Sequence, residues 1–251
     1  MSLRGLGRSQ DIIEVMTPSE ADALMHALGP LPSIRAEGRT AEHSRDRLAA
    51  TIALNTGLRR EEITRLPLRE VQQGIRLASQ RTQFQMIAIR ICGKGKKWRK
   101  VNVPAWLLSE VAIYIEGERA EAIASGKELH GRSYRLPSTL FVGHADSATS
   151  RGCEISSGAI YDAFAAPQQA LIDMESLSHR FRFHDLRHTY AVWTWIARKR
   201  SGDVQPSKYV QAQLGHAYRE TTERIYLATV SQLESQLFDG YVNFLQEAAD
   251  A

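Results

Sequence analysis

The residues from 71 to 103 interrupt a sequence whose apolar pattern is otherwise helical. Three short runs in this stretch are rich in β-branched and long apolar side chains, which favour extended backbone. They lie at 71–77, 86–91 and 101–103. Gly93 and Gly95 mark a tight turn between the last two runs. The stretch therefore predicts a small three-stranded antiparallel sheet.

Helical patterns account for most of the remaining chain. A capping box at residues 17–20, with Pro18 at the first helical position, begins the first helix. Further helices are expected at 43–55, 105–124, 157–174, 184–200, 206–214, 219–228 and 231–248. The predicted fold class is α+β, with one mostly helical domain over 17–251 and a leader or linker at 1–16.

Basic residues are concentrated in the same stretch as the predicted strands. The whole chain carries a formal net charge of only +4, and its 43% hydrophobic residues are enough for a buried core. No Asp or Glu occurs from 71 to 109, where the basic residues are Arg76, Arg81, Arg90, Lys94, Lys96, Lys97, Arg99 and Lys100. This bias favours a surface that meets phosphate groups, although charge also protects solvated strand edges.

Simpler features argue against several other classes of protein. The two cysteines, Cys92 and Cys153, do not form a disulfide framework or a zinc motif. No apolar run is long enough to span a bilayer, and no secretory signal is visible. These features predict no membrane partner and a cytoplasmic location.

Five short motifs, far apart in sequence, carry side chains suited to one reaction. They are Thr56-Gly57-Leu58-Arg59, Gly93-Lys94-Gly95, His184-Asp185-Leu186-Arg187-His188, Leu214-Gly215-His216 and Tyr226. A phosphodiester gains concentrated negative charge during nucleophilic attack, so cations must surround it. Arginine stays charged and can donate two parallel hydrogen bonds to phosphate oxygens, and a tyrosine can attack phosphorus. Glu62, three residues after Arg59, is expected to hold that guanidinium in place.

His184 and His188 also have the spacing of two metal ligands on one helix face. The residues between them lack the glutamate that follows the first histidine of zinc proteases. Arg187, one residue before the second histidine, also opposes metal binding. A metal hydrolase is therefore the less favoured alternative, because His184 is better suited to take a proton or to hold a phosphate oxygen.

In this order, the motifs resemble those of the tyrosine recombinase family, also called phage-type integrases, over residues 17–248. The resemblance implies the integrase-like DNA breaking-rejoining fold and a site-specific recombinase that works through a 3′-phosphotyrosyl intermediate. It assigns catalytic roles to Arg59, Lys94, His184, Arg187, His216 and the nucleophile Tyr226. It implies no metal and no other cofactor.

The resemblance also implies double-stranded DNA as the partner. The basic residues expected at the DNA are Arg90, Lys96, Lys97 and Arg99. A homo-oligomer is expected on DNA, a tetramer in the synaptic complex, and a monomer without DNA is compatible with this pattern.

Several alternatives stay open. The interval from His216 to Tyr226 is one residue longer than the family pattern, which leaves Tyr218 as a rival nucleophile. The N-terminal core-binding domain that relatives carry has no room before residue 17, so a catalytic fragment or a minimal member is expected.

The amphipathic segment 231–248 can pack on its own domain or dock into a neighbouring subunit. A catalytically silent DNA-binding regulator is the main functional alternative, and type IB topoisomerases and telomere-resolving enzymes would use a similar set.

Overall fold

The computed structural model describes residues 13–93, 95 and 97–215, and most of these residues are helical. The helices are α1 (Pro18–Ala27), α2 (Pro32–Ala36), α3 (Arg45–Thr56), α4 (Arg60–Thr64), α5 (Leu68–Ala78), α6 (Ala105–Glu116), α7 (Glu118–His130), α8 (Ser157–Ala165), α9 (Gln168–Asp173), α10 (Asp185–Arg200) and α11 (Pro206–Leu214). None of them is long and apolar enough to cross a membrane. The predicted helices at 219–228 and 231–248 lie outside the described residues.

A single antiparallel hairpin lies between α5 and α6 in the described chain. Its strands are β1 (Met86–Cys92) and β2 (Trp98–Pro104), and Ile89 pairs with Val101. Alternate side chains of both strands face the core; the buried ones are Ile87, Ile89, Ile91, Val101 and Val103. Each strand therefore has one core face and one solvated face, as the period of two requires.

The prediction of a third strand is wrong in the described chain, where the sheet has two strands. Residues 71–77 lie in α5 instead. The buried residues of α5 are Val71, Gly74 and Ala78, which recur at three- and four-residue steps and so form one helical face. At Gly74, a Cβ would lie 2.6 Å from Cγ2 of Ile89, so glycine allows α5 to approach the hairpin closely. Apolar content suggested a strand, but its spacing fits a helix.

Two predicted long helices are each divided in two. The helix expected at 105–124 ends at Gly117, whose ψ of −103° does not continue a helix, and α7 then runs on to His130. The helix expected at 157–174 is divided at Pro167, which has no N–H to donate to the preceding turn, so α8 ends at Ala165 and α9 begins at Gln168.

Helix α3 runs through the core and contacts α1, α4, α6, α8, α10 and β2. It ends at Gly57, which has a φ of 66° and donates its N–H to the Ala53 carbonyl. A Cβ at Gly57 would lie 2.5 Å from Cδ2 of Leu214 and 2.5 Å from Cδ1 of Tyr190. Glycine is therefore required here twice, by the left-handed backbone and by the close approach of α10 and α11.

The chain is already part of the fold before α1 begins. Met16 is buried, and its N–H donates to the Oγ1 of Thr189 at 3.0 Å. Ile13 and Val15 pack against the small cluster formed by α10 and α11. Thr17 then caps α1 in a complete capping box with Glu20, which confirms the predicted start of this helix.

We predict that Gly57→Ala destabilises the protein much more than Gly38→Ala. Both glycines have left-handed backbones, with φ of 66° and 72°, but a Cβ at Gly38 would meet nothing within 4 Å. The control should lose about 1 kcal/mol from backbone strain. Gly57→Ala should lose a further 1–3 kcal/mol or so because of overpacking. Equal losses in urea unfolding would contradict the close approach at Gly57.

Candidate active site

Arg59 is placed by the turn that follows α3. Gly57 reverses the chain, Arg59 has an extended backbone (φ −74°, ψ 155°), and α4 begins at the next residue. The Arg59 N–H donates to Oε2 of Glu62 at 2.9 Å. The side chain is 29% exposed, so its guanidinium is anchored by the protein and still open to solvent.

Glu62 is a buried carboxylate that holds two arginines. Its Oε1 lies 3.4 Å from Nη1 of Arg59, as the sequence predicted for this pair. Arg99, on β2, binds it more closely, with Nη1 2.5 Å from Oε1 and Nη2 3.0 Å from Oε2. Burial by itself would raise the pKa of Glu62, but the hydrogen bonds and charges of Arg99 and Arg59 keep it below its usual range. Glu62 therefore stays ionised and links α4 to the hairpin.

The role of Arg99 within the protein was missed by the sequence reasoning. Its side chain is only 16% exposed, and Nε donates to the Gln213 carbonyl on α11 at 3.4 Å. The alternation of side chains along a strand could have revealed this role. Arg99, Val101 and Val103 share one face of β2, and the two valines are buried. A charge on the core face of a strand indicates an internal partner, whereas the basic run around it suggested DNA. The DNA contact of Arg99 stays a prediction.

Arg187 lies fully inside the protein, on the first turn of α10. Its Nη1 donates to the Gly57 carbonyl at 2.6 Å, and its Nη2 donates to the Leu214 carbonyl at 2.8 Å. Those carbonyls end α3 and α11, where the helix dipole is negative and a cation is stabilising. The guanidinium thus joins two helix ends that are 157 positions apart in the chain.

His184 lies at the start of α10, and the positive charges of Arg187 and Arg59 both act on its ring. Partial burial of the ring lowers its pKa, and the charges of Arg187 and then Arg59 lower it further. Its imidazole is therefore neutral at working pH and able to accept a proton. Arg187 also binds the carbonyl of Gly57, two residues before Arg59, so the three residues belong to neighbouring parts of the fold. Their catalytic roles stay a prediction.

His188 packs against His184 rather than beside a third metal ligand. The two rings meet edge to face, with centroids 4.8 Å apart. Burial lowers the pKa of His188 to about 4, and the neighbouring His184 adds to this effect. Among the described residues, this pair is not part of a group of three metal-ligating side chains.

A cleft of about 550 Å³ opens beside Arg59 and reaches the hairpin turn. Its lining residues are Arg59, Glu61, Glu62, Arg65, Cys92, Gly93 and Gly95. Lys94 lies outside the described residues, as do Lys96, His216, Tyr218 and Tyr226. Gly93 and Gly95 line the cleft, so these described residues of the hairpin turn lie beside Arg59.

Two of the other residues predicted to contact DNA, Arg90 and Lys97, belong to the described part of the hairpin. Arg90 and Lys97 are exposed, and the guanidinium of Arg90 stacks 5.0 Å from the ring centre of Trp98. Trp98 is itself 50% exposed. This part of the hairpin offers cations and an aromatic ring to solvent, as expected for a surface that meets a nucleic-acid backbone.

Comparisons with known proteins identify the family and the fold of this chain. The model of the phage integrase family matches residues 14–232. One similar structure is the XerH site-specific recombinase bound to palindromic difH substrate, in a post-cleavage complex. Its TM-score is 0.57 and its sequence identity is 19%, and the match covers 90% of this chain and 53% of that chain. XerA recombinase has a TM-score of 0.54 and 20% identity over 93% of this chain and 67% of that chain.

The chain thus spans about half the length of the XerH recombinase, and at these identities the likeness shows the fold. It confirms the predicted integrase-like fold. No curated protein matches the sequence.

We predict that His188→Gln makes the protein less sensitive to acid. The unfolded chain binds a proton at this histidine near pH ~6.5, whereas the folded protein resists protonation down to about 4. Stability should therefore be constant above that window and fall as the pH drops through it. Between about pH 7.5 and about pH 5, the unmodified protein should lose some 1–2 kcal/mol more than His188→Gln.

The control for this measurement is His26→Gln, since the side chain of His26 is 61% exposed. This variant should follow the unmodified protein at both pH values in urea unfolding. A His188→Gln variant that does the same would show that burial of His188 does not penalise its charged form.

Proposed function

The chain belongs to the phage integrase family, and we propose that it is a site-specific recombinase that cleaves and rejoins double-stranded DNA. The observation that best supports the proposal is that the charges of Arg187 and Arg59 both act on His184, and that Arg59 lines a cleft that reaches the hairpin turn. Two fixed guanidinium groups and a neutral imidazole suit a phosphodiester that gains charge as it is attacked.

The proposed reaction is a transesterification. The phenolic oxygen of Tyr226 attacks the scissile phosphorus and forms a P–O bond, while the bond from phosphorus to the 5′ oxygen breaks. His184 takes the phenolic proton, and Lys94 donates a proton to the leaving 5′ oxygen. The products are a 3′-phosphotyrosyl link and a free 5′-hydroxyl. Attack by the 5′-hydroxyl of another strand reverses these steps, so the bond energy is kept and no nucleotide cofactor is consumed.

The arginines stabilise the pentavalent phosphorus, and His216 donates a further hydrogen bond. Each such preorganised donor contributes a factor of about 10²–10³ in rate. Arg59 is the more exposed of the two guanidinium groups and takes the non-bridging oxygens first. Glu62 and Arg99 act as positioning residues, because Glu62 holds the Arg59 guanidinium and is itself held by Arg99.

The proposed reaction requires contacts with DNA and with further copies of the chain. Arg90, Lys96, Lys97 and Arg99 contact the DNA backbone, and four copies assemble in the synaptic complex. The segment 231–248 docks within the chain or into a neighbouring copy. The catalytic domain comprises residues 17–251, and the protein acts in the cytoplasm, where its DNA lies.

The proposal predicts a covalent protein–DNA adduct that depends on Tyr226. A pool of nicked duplexes with a randomised core serves as substrate. The nick lets the short fragment that carries the new 5′-hydroxyl diffuse away, which traps the phosphotyrosyl intermediate. The unmodified protein and Tyr218→Phe should form an adduct that survives denaturation, and Tyr226→Phe should form none. The adducts are detected on denaturing gels, with and without EDTA, and circular dichroism confirms that the fold is kept.

Three outcomes would contradict the proposal in different ways. An adduct lost in Tyr218→Phe but kept in Tyr226→Phe would move the nucleophile. DNA binding without any adduct would leave a catalytically silent regulator. Cleavage that needs a metal and leaves no protein attached, with the fold intact in EDTA, would identify a metal hydrolase.

A further inference from the structure

A second cluster of reactive side chains lies at the opposite end of α3 from the candidate active site. It consists of His43 and His144, together with the buried Glu118 at the start of α7, and we call these three residues the His–Glu cluster. Helix α3 has 12 residues, which separate this cluster from Gly57 by about 18 Å along the helix axis. The cluster is therefore not part of the proposed DNA-cleaving site.

The three side chains converge on one point. Oε1 of Glu118 lies 3.2 Å from Nδ1 of His144 and 3.4 Å from Nδ1 of His43. The two imidazole rings are stacked, with centroids 3.9 Å apart and planes at 23°, so both Nδ1 atoms can face the same oxygen. In a tetrahedral site with bonds of about 2.0–2.1 Å, neighbouring ligand atoms are roughly 3.3 Å apart. The two N–O distances are close to this edge length.

Each side chain of the His–Glu cluster also contacts a second group, on the side away from the shared point. Nε2 of His43 lies 3.1 Å from the Asp146 carboxylate, and Nε2 of His144 lies 3.4 Å from the Asp46 carboxylate. The other oxygen of Glu118 accepts hydrogen bonds from the N–H and the hydroxyl of Ser44 at 2.7 and 2.6 Å. A carboxylate on the far nitrogen of a histidine is the usual support of a metal ligand, because it fixes the tautomer and the ring orientation.

This support leaves an electrostatic problem that a cation would solve. When Asp146 and Asp46 hold the proton on Nε2 of each ring, both Nδ1 lone pairs point at the anionic oxygen of Glu118. In addition, Nδ1 of His43 is a buried atom without a hydrogen-bond partner. Either further protons on both rings or one metal ion between the three atoms would remove this repulsion.

We propose that His43, Glu118 and His144 bind one zinc-like divalent cation, with water as the fourth ligand. Two imidazoles and one carboxylate are ligands that zinc accepts, and such a set favours the later first-row metals over magnesium or calcium. The neighbouring guanidinium groups are Arg35, 4.0 Å from Glu118, and Arg45, which binds Asp46. Three carboxylates face these two cations, so the pocket keeps a negative charge for the metal to neutralise.

The bound metal stabilises the fold and takes no part in chemistry at phosphate. His43 and Ser44 lie at the start of α3, Glu118 begins α7, and His144 lies in the segment between α7 and α8. One ion at this point would therefore clamp three parts of the chain around the N-terminal end of the central helix. Metal binding of this kind adds to the free energy of folding.

The test is a titration of the metal-stripped full chain with Co²⁺, which reports tetrahedral coordination through its visible absorption. One equivalent should bind with an intense band between roughly 500 and 700 nm, and Zn²⁺ should displace it, as expected for a tetrahedral N/O site. Asp46→Asn should weaken Co²⁺ binding by about 10–100-fold, because it removes the support of His144 without removing a ligand. His43→Gln and His144→Gln should each abolish the band.

His184→Ala is the matched control, since it removes a histidine of the other pair and should leave the Co²⁺ band unchanged. The absence of a tetrahedral band in the unmodified chain would overturn the proposal and leave a protonated histidine pair among carboxylates. A band that persists in His43→Gln and His144→Gln, or disappears in His184→Ala, would also overturn it, because the metal would then bind elsewhere. The Co²⁺ band of the unmodified chain needs no variant, so this readout stands even where a substitution prevents folding.

Discussion

The buried guanidinium of Arg187 is the contact on which the rest of the described site depends. It binds the last carbonyls of α3 and α11 at once, and both helices end there in a left-handed glycine. An arginine can do this because its fork of donors spans two acceptors, whereas an ammonium group is a single point of charge. Arg59 follows one of these helix ends by two residues, and His216 follows the other by two residues in sequence. One side chain therefore sets where both motifs leave their helices.

Glu62 supplies the negative charge that complements Arg59 and Arg99. A cluster of cations repels itself when no anion is bound, and a buried carboxylate among the cations offsets part of that repulsion. By binding Arg59 and Arg99 together, Glu62 also ties α4 to β2 and, through the Gln213 carbonyl, to α11. Arg59 is thus held in place at the cleft by Glu62, so the proposed binding of DNA needs little reorganisation of its guanidinium.

Much of this arrangement could be predicted from local sequence, because it rests on local chemistry. The capping box at Thr17, the glycine stop at Gly57 and the hairpin around Gly93 each depend on residues that are neighbours in the chain, and the structure has all three. The prediction of a strand at 71–77 failed because it weighed residue type over spacing. Val71, Gly74 and Ala78 mark a helical face that needs the hairpin beside it to be buried.

Long-range pairing is what the sequence could not provide. The partner of Arg99 is 37 residues away, and the members of the His–Glu cluster are separated by 75 and 26 residues. No local motif therefore predicts the ion pair or the cluster. The local motif that did suggest a metal, His184 with His188, instead forms an edge-to-face ring contact. Spacing along one helix indicates that two ligands could meet, whereas a metal site also needs a third ligand from elsewhere in the fold.

The most direct test of this account is the free energy of unfolding of Arg187→Lys, measured in urea beside Arg59→Lys. Both changes keep the charge and remove the fork of donors. Arg187→Lys should lose about 2–4 kcal/mol, because at least two buried charge-assisted hydrogen bonds are disrupted. Arg59→Lys should lose less than about 1 kcal/mol, because its ion pair is partly exposed. Equal stabilities for the two variants would show that the Arg187 guanidinium does not hold the ends of α3 and α11 together.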